Sequence, residues 1–211
     1  MLYEYGVFRF GRAGVHARTG LDDLLARVFV ALSLPGYWST ILVLGIFVLS
    51  LVFASNREGL SEIRGIYFGY MLLESILYAA VFGVAVGGVT EFLLSVEHHE
   101  PRVRLATLIT HVGAGIYEEL FFRVLVFAGL VQIAKKIERA NSGVHYAMAA
   151  IVSSLLFAAF HYWFWFGEAF RLDTFLFRFM AGVALCILFT LRGFGITVYT
   201  HALYNTFLMF R

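Results

Sequence analysis

The chain has 211 residues, 61% of them hydrophobic and only 14% charged, with a mean hydropathy of +0.82 and a net charge of +2. A soluble domain carries roughly 25% charged residues to cover its surface, and a disordered one lacks the aromatics supplied here by 23 Phe and 11 Tyr. Scattered arginines at so small a net charge exclude a nucleic-acid partner, and a lone cysteine, Cys186, excludes a disulfide scaffold. The composition is that of an integral membrane protein.

In chain order, residues 1–20 hold Arg9, Arg12 and Arg18 without an apolar run, unlike a cleaved signal peptide. Residues 21–33 put Leu21, Leu24, Leu25, Val28, Phe29 and Leu32 on one helical face. Asp22 and Asp23 stand in the first turn, where the helix dipole favours acids. This segment predicts an amphipathic helix lying in the membrane interface, stopped by Pro35-Gly36. Residues 1–36 are therefore an N-terminal interfacial segment and 37–211 a transmembrane helical domain.

A helix crosses a hydrocarbon core with about 20 apolar residues. Residues 37–54 meet that requirement without a charge, and residues 66–90 meet it with Glu74 as the one interruption. Residues 103–134 are apolar but overlong, either one tilted helix or two meeting near Gly113-Ala114-Gly115. Three more spans follow at 146–166, 174–191 and 196–210. The fold class is an all-α polytopic bundle of six to seven transmembrane helices. The distribution of Arg and Lys favours a cytoplasmic N-terminus.

An ionisable side chain at the bilayer centre costs about 2.5–3.5 kcal/mol on insertion scales, so each one there needs a reason. They cluster in three apolar stretches: Glu118, Glu119 and Arg123; Phe157 with His161; and His201 with Asn205. Glu119 and Arg123, four apart with the acid first, are spaced for an ion pair. Glu118 is rotated about 100° away and shares its face with His111, seven residues earlier. His201 and Asn205 project together, and Phe157 lies beside His161. Three helices thus offer an acid, two imidazoles and an amide to a common interior.

Such a set can activate water through a carboxylate or imidazole base and stabilise an oxyanion through an imidazole and an amide. Glu118, His161 and His201 also form a potential ligand set for a divalent metal such as zinc. No His-Glu-x-x-His motif accompanies them. The preferred reading needs no cofactor, because the four polar residues already fill every role. Glu74 and His111 read as buried hydrogen-bonded groups or cavity lining. Arg178 reads as snorkelling to the interface, and His98, His99 and His145 as loop residues. Ser153, Ser154, Ala158 and Ala159 read as small residues that let helices approach.

The ordered set Glu118-Glu119-x-x-x-Arg123, Phe157-x-x-x-His161 and His201-x-x-x-Asn205 resembles the motifs of the CAAX-protease and bacteriocin-processing (CPBP) family. That family of intramembrane proteases includes the type II CAAX prenyl proteases. Each motif alone is weak; all three in order, with gaps of 38 and 40 residues, are specific. The resemblance covers residues 103–210, a catalytic core, and not the first hundred residues. It implies that Glu118 and His161 activate water, that His201 and Asn205 hold the oxyanion, and that Glu119 and Arg123 support them. It also implies eight helices, more than the spans counted here, and a multi-pass protein of a bacterial cytoplasmic membrane.

The function expected is an intramembrane endopeptidase cutting a membrane-anchored or hydrophobic peptide near a terminus, with the bilayer and that peptide as partners. Two rivals make different demands. A non-catalytic scaffold or immunity-type protein would hold a partner helix in the same cavity and tolerate Glu118→Gln. A proton pathway through Glu74, His111 and Glu118 would carry flux, and the absence of an internal repeat counts against many such folds.

Overall fold

The computed structural model describes residues 20–43, 45–46, 64–94, 105–137, 142–162 and 169–208. Every regular element among them is helical. Helix α1 spans Gly20–Ala31, α2 Gly65–Leu94 and α3 Leu105–Glu119. Helix α3 passes without interruption into a π-helical segment, Leu120–Ala128, and then into α4, Gly129–Ile137. Helices α5, Ser142–Phe160, and α6, Leu172–Leu208, complete the bundle.

Three of the described helices are long and apolar enough to cross a membrane, over Gly65–Val86, Gly143–Phe160 and Leu172–Phe207. The expected span at 37–54 lies largely outside the described residues, which are helical at 38–43 and 45–46. Among the described residues three such helices stand against the six to seven expected, and one of the three holds two expected spans. Residues 105–137 form a continuous rod, with no break at Gly113-Ala114-Gly115. Gly115 instead admits a neighbour: a Cβ on it would stand 2.9 Å from the Val198 carbonyl oxygen and 3.0 Å from the Ala202 Cβ. The glycine serves close helix packing.

Helix α6 contains the last two expected spans, joined at Gly193. That residue has φ 79° and ψ −178°, a region open essentially to glycine alone. The chain reverses there. Tyr204 stacks on Phe177 with ring centroids 6.1 Å apart, whereas about 40 Å would separate them on a straight helix. The two arms, α6a before Gly193 and α6b after it, form an antiparallel hairpin. Glu74 on α2 accepts hydrogen bonds from both Nε and Nη2 of Arg192, at 2.6 and 2.7 Å, fastening α2 beside the tip.

The core sits around this hairpin. Ala79, Phe82 and Val86 of α2 pack against Ala181 and Leu185 of α6a and Tyr204 of α6b. On the other side Phe127, Val131 and Ala149 enclose Cys186. Ser153, Ser154 and Ala158 are buried as expected, and a Cβ on Gly182 would meet Ser154 at 2.9 Å. Ala159 is exposed and takes no part. His145 is no loop residue: it lies on α5 and is buried.

Helix α1 is amphipathic, but its apolar face is divided. Leu21 is buried against Tyr117, with Leu24 and Leu25 beside it, while Val28 and Leu32 are exposed. Asp22 is buried and accepts a hydrogen bond from Ser39 Oγ at 3.1 Å, closing the segment on itself. The helix ends before Pro35-Gly36. Ser33 takes φ 61°, and the Ser33 and Leu34 amides donate to the Val30 and Phe29 carbonyls, a Schellman cap without the usual glycine.

Candidate active site

Helix α3 delivers the acidic residues just where the backbone changes to π geometry, a transition often found at functional sites. Glu119 and Arg123 are wholly buried, with Arg123 Nε 2.9 Å from Glu119 Oε2. Those atoms meet at an angle unsuited to a hydrogen bond, so the contact is an ion pair. Arg123 Nη2 donates to the Gly182 carbonyl at 3.4 Å, and the guanidinium lies 4.6 Å from the Phe157 ring centroid. Ser153 Oγ donates to the Phe122 carbonyl at 2.7 Å, tying the π segment to α5.

The second carboxylate oxygen of Glu119 reaches the hairpin. His201 Nδ1 donates to Glu119 Oε1 at 2.7 Å. This fixes the ring and turns Nε2 toward Glu118, whose Oε2 stands 4.0 Å away. Glu119 therefore holds one histidine and one arginine at once, and Glu118 is left to the interior.

His161 follows the last residue of α5. Its Nδ1 donates to the Phe157 carbonyl at 2.9 Å, satisfying a carbonyl of the helix's final turn. A carbonyl only accepts, so Nδ1 carries the proton and the neutral ring keeps its lone pair on Nε2. Phe157 stands edge-on between the two imidazoles, its centroid 5.0 Å from His161 and 6.0 Å from His201.

These groups meet in a cavity of about 510 Å³ whose wall includes Glu118, His161, His201 and Asn205. Each helix contributes one stripe at helical spacing. Helix α3 gives Thr110, His111, Ala114 and Glu118; α6a gives Thr174, Phe177, Arg178, Ala181 and Leu185; α6b gives Thr200, His201, Tyr204 and Asn205. Phe82 and Phe157 close the remaining sides. A carboxylate, two oriented imidazoles and an amide facing one cavity can hydrolyse an acyl bond. Among the described residues, no three His, Cys, Asp or Glu side chains are arranged to hold a metal ion. The potential ligand set Glu118, His161 and His201 does not fit one as placed, and no step is assigned to it.

The family model described as type II CAAX prenyl endopeptidase Rce1-like matches residues 101–207, which include every one of these groups. The chain belongs to this type II CAAX prenyl endopeptidase family. No curated protein and no solved structure matches it. Membership makes the chain, at family level, an integral-membrane endopeptidase, a hydrolase whose substrate is a peptide in the bilayer. The matched residues run from α3 through the hairpin and leave out α1 and α2, although Phe82 of α2 reaches the cavity.

The endopeptidase cavity thus brings together all four motif residues and keeps Glu119 and Arg123 behind them. His111 also reaches the wall, one stripe position beyond Ala114. Glu74 does not; it belongs to the hairpin tip with Arg192. Arg178 lines the cavity as well, its Cζ 5.4 Å from the Tyr162 ring centroid. Its neighbour Asp173 is held by Arg171, whose Nη2 donates to it at 2.6 Å. The signal was present in the sequence, since Thr174, Arg178, Ala181 and Leu185 recur at helical spacing.

Proposed function

We propose that this chain is a multi-pass intramembrane endopeptidase of a bacterial cytoplasmic membrane, acting on a membrane-anchored or hydrophobic peptide. Glu118 and His161 activate water, while His201 and Asn205 stabilise the oxyanion. The observation that carries this reading is the convergence of those four side chains on one cavity wall.

The chemistry follows from the protons. Glu118 takes a proton from water as the oxygen attacks the scissile carbonyl carbon, with His161 Nε2 free to accept a hydrogen bond from the same water. The carbonyl π pair moves onto oxygen. That oxyanion is met by the Asn205 amide and by His201, which donates from Nε2 when it carries a second proton. The Glu119 carboxylate on Nδ1 fixes the direction of the ring, the role an acid plays behind a catalytic histidine. The proton held by Glu118 then passes to the amide nitrogen, the C–N bond breaks, and an acid and an amine result.

The test compares peptide termini in membrane fractions of cells carrying the wild type or Glu118→Gln at matched expression. Longer termini in the variant identify the substrate and support the reading. Identical termini, with the variant still supporting the wild-type phenotype, overturn it in favour of a scaffold.

A further inference from the structure

We propose that the groove between α5 and α6a binds an anionic phospholipid, with one acyl chain lying in the groove and the phosphate meeting Lys135 and Lys136. The groove has a volume of about 380 Å³ and shares no wall residue with the catalytic cavity. It is a second site, independent of the endopeptidase chemistry. Phe127 and Cys186 are buried in its wall, while Ile151, Ile187 and Leu191 stand exposed along it. On the α5 side Ala147 and Ala150 leave it open. The Thr190 hydroxyl is turned back to donate to the Cys186 carbonyl at 2.8 Å, so that side of the wall stays apolar.

The two ends of the groove differ. Tyr162 meets Thr174 in a 2.7 Å hydrogen bond where α5 has ended and α6a begins, so the two helices run antiparallel. Tyr146 is therefore level with Thr190 and Leu191 at the other end. Helix α5 is long and apolar enough to cross the membrane from Gly143, which puts that end at the membrane surface. Lys135 stands there. Its Nζ donates to the Tyr146 hydroxyl at 3.2 Å and lies 4.9 Å from the ring centroid. A bond to a phenol leaves the ammonium its charge. Lys136 follows in the last turn of α4, and both lysines are exposed. An apolar slot with two cations at its membrane-surface end has the polarity of a phospholipid. Lysine binds phosphate as a point charge, and basic pockets between transmembrane helices hold anionic headgroups. A zwitterionic head would bring its own cation against the lysines. The groove follows α6a from Val183 to Leu191, about 12 Å along the helix axis, a length an acyl chain covers.

The test incubates full-length protein, purified in mild detergent, with equal amounts of phosphatidylglycerol and phosphatidylcholine carrying the same acyl chains. Native mass spectrometry then counts the lipid each protein retains. A lysine near the headgroup favours the anionic lipid about fivefold, so with two the wild type should retain phosphatidylglycerol about thirtyfold over phosphatidylcholine. Lys135→Gln combined with Lys136→Gln should bring that ratio to about one. The ratio is taken within one preparation, so a partly unfolded variant does not distort it. Ala147 is exposed at the groove wall, and Ala147→Trp should fill the groove and remove most of the retained lipid. Met148→Trp, on the same helix but outside the groove, should keep it. Equal retention of the two lipids by the wild type, or a preference that survives the double substitution, overturns the headgroup site. Retention undiminished in Ala147→Trp overturns the groove as the place of the chain. A wild type that retains neither lipid overturns both.

Discussion

His201 is oriented by Glu119, through the 2.7 Å hydrogen bond from its Nδ1 to Oε1, and Glu119 is in turn neutralised by Arg123 on its other oxygen. The second acid of the Glu-Glu pair is therefore a bridge between a structural cation and a functional imidazole. Removing one end of a buried pair strands the other charge, at about 3–5 kcal/mol, whereas replacing both by apolar groups is often neutral. Arg123→Ala should accordingly lower the unfolding temperature sharply in detergent. The double substitution Glu119→Leu with Arg123→Met should recover most of that stability without recovering activity, because His201 then has no acid behind it. A double variant that regains turnover along with stability would remove Glu119 from the orientation of His201.

Glu118 makes a cleaner case, since it is buried at the cavity wall and outside the Glu119–Arg123 pair. Glu118→Gln preserves the shape of the side chain and removes only its basicity. General-base catalysis is worth about 10²- to 10⁴-fold, so kcat should fall by that factor while the unfolding temperature holds. His161→Gln should lower kcat as well. A Glu118→Gln protein with wild-type kcat would exclude Glu118 as the base.

The residues that line the cavity were more legible in the sequence than the path of the chain. Charged groups in apolar helices are expensive, so Glu118, Glu119, Arg123 and the two histidines stood out at once, and helical spacing assigned Glu119 to Arg123. Spacing within one helix could not reveal that Glu119 also meets His201, a contact between residues 82 apart. Arg178 was hidden by the reverse effect. An arginine near a helix start has an inexpensive alternative in snorkelling, and only the hairpin, which puts Tyr204 beside Phe177, turns that stretch of α6a to the cavity. Gly115 was ambiguous for a similar reason, because a glycine in an apolar helix fits both a break and a close approach.

That close approach gives the next prediction. A methyl group on Gly115 meets the Val198 backbone oxygen at 2.9 Å, and backbone yields less readily than a side-chain tip. Gly115→Ala should cost about 1–3 kcal/mol, the range for overpacking a filled core. It should also lower kcat, since it pushes α3 away from the arm that carries His201. Gly129→Ala is the control on the same rod: nothing lies within 4 Å of its Cβ position, and both stability and turnover should hold. Equal unfolding temperatures for the two variants would show that α3 and the hairpin have room to part.

Gly193 is constrained by conformation instead. Nothing lies within 4 Å of its Cβ position, so a larger residue meets no steric obstacle, yet φ 79° with ψ −178° is closed to side-chain-bearing residues. Gly193→Ala should therefore cost about 1–3 kcal/mol through backbone strain alone. Because the hairpin sets where His201 faces Glu118, relaxing its turn should reduce kcat more than it raises KM. The Glu74–Arg192 pair beside the turn is half-exposed, and exposed pairs contribute about 0–1 kcal/mol. Glu74→Gln should thus leave the unfolding temperature almost unchanged, against a clear drop for Gly193→Ala. Thermal unfolding and kinetics of the two variants in the same detergent distinguish a hairpin held by its glycine from one held by its ion pair.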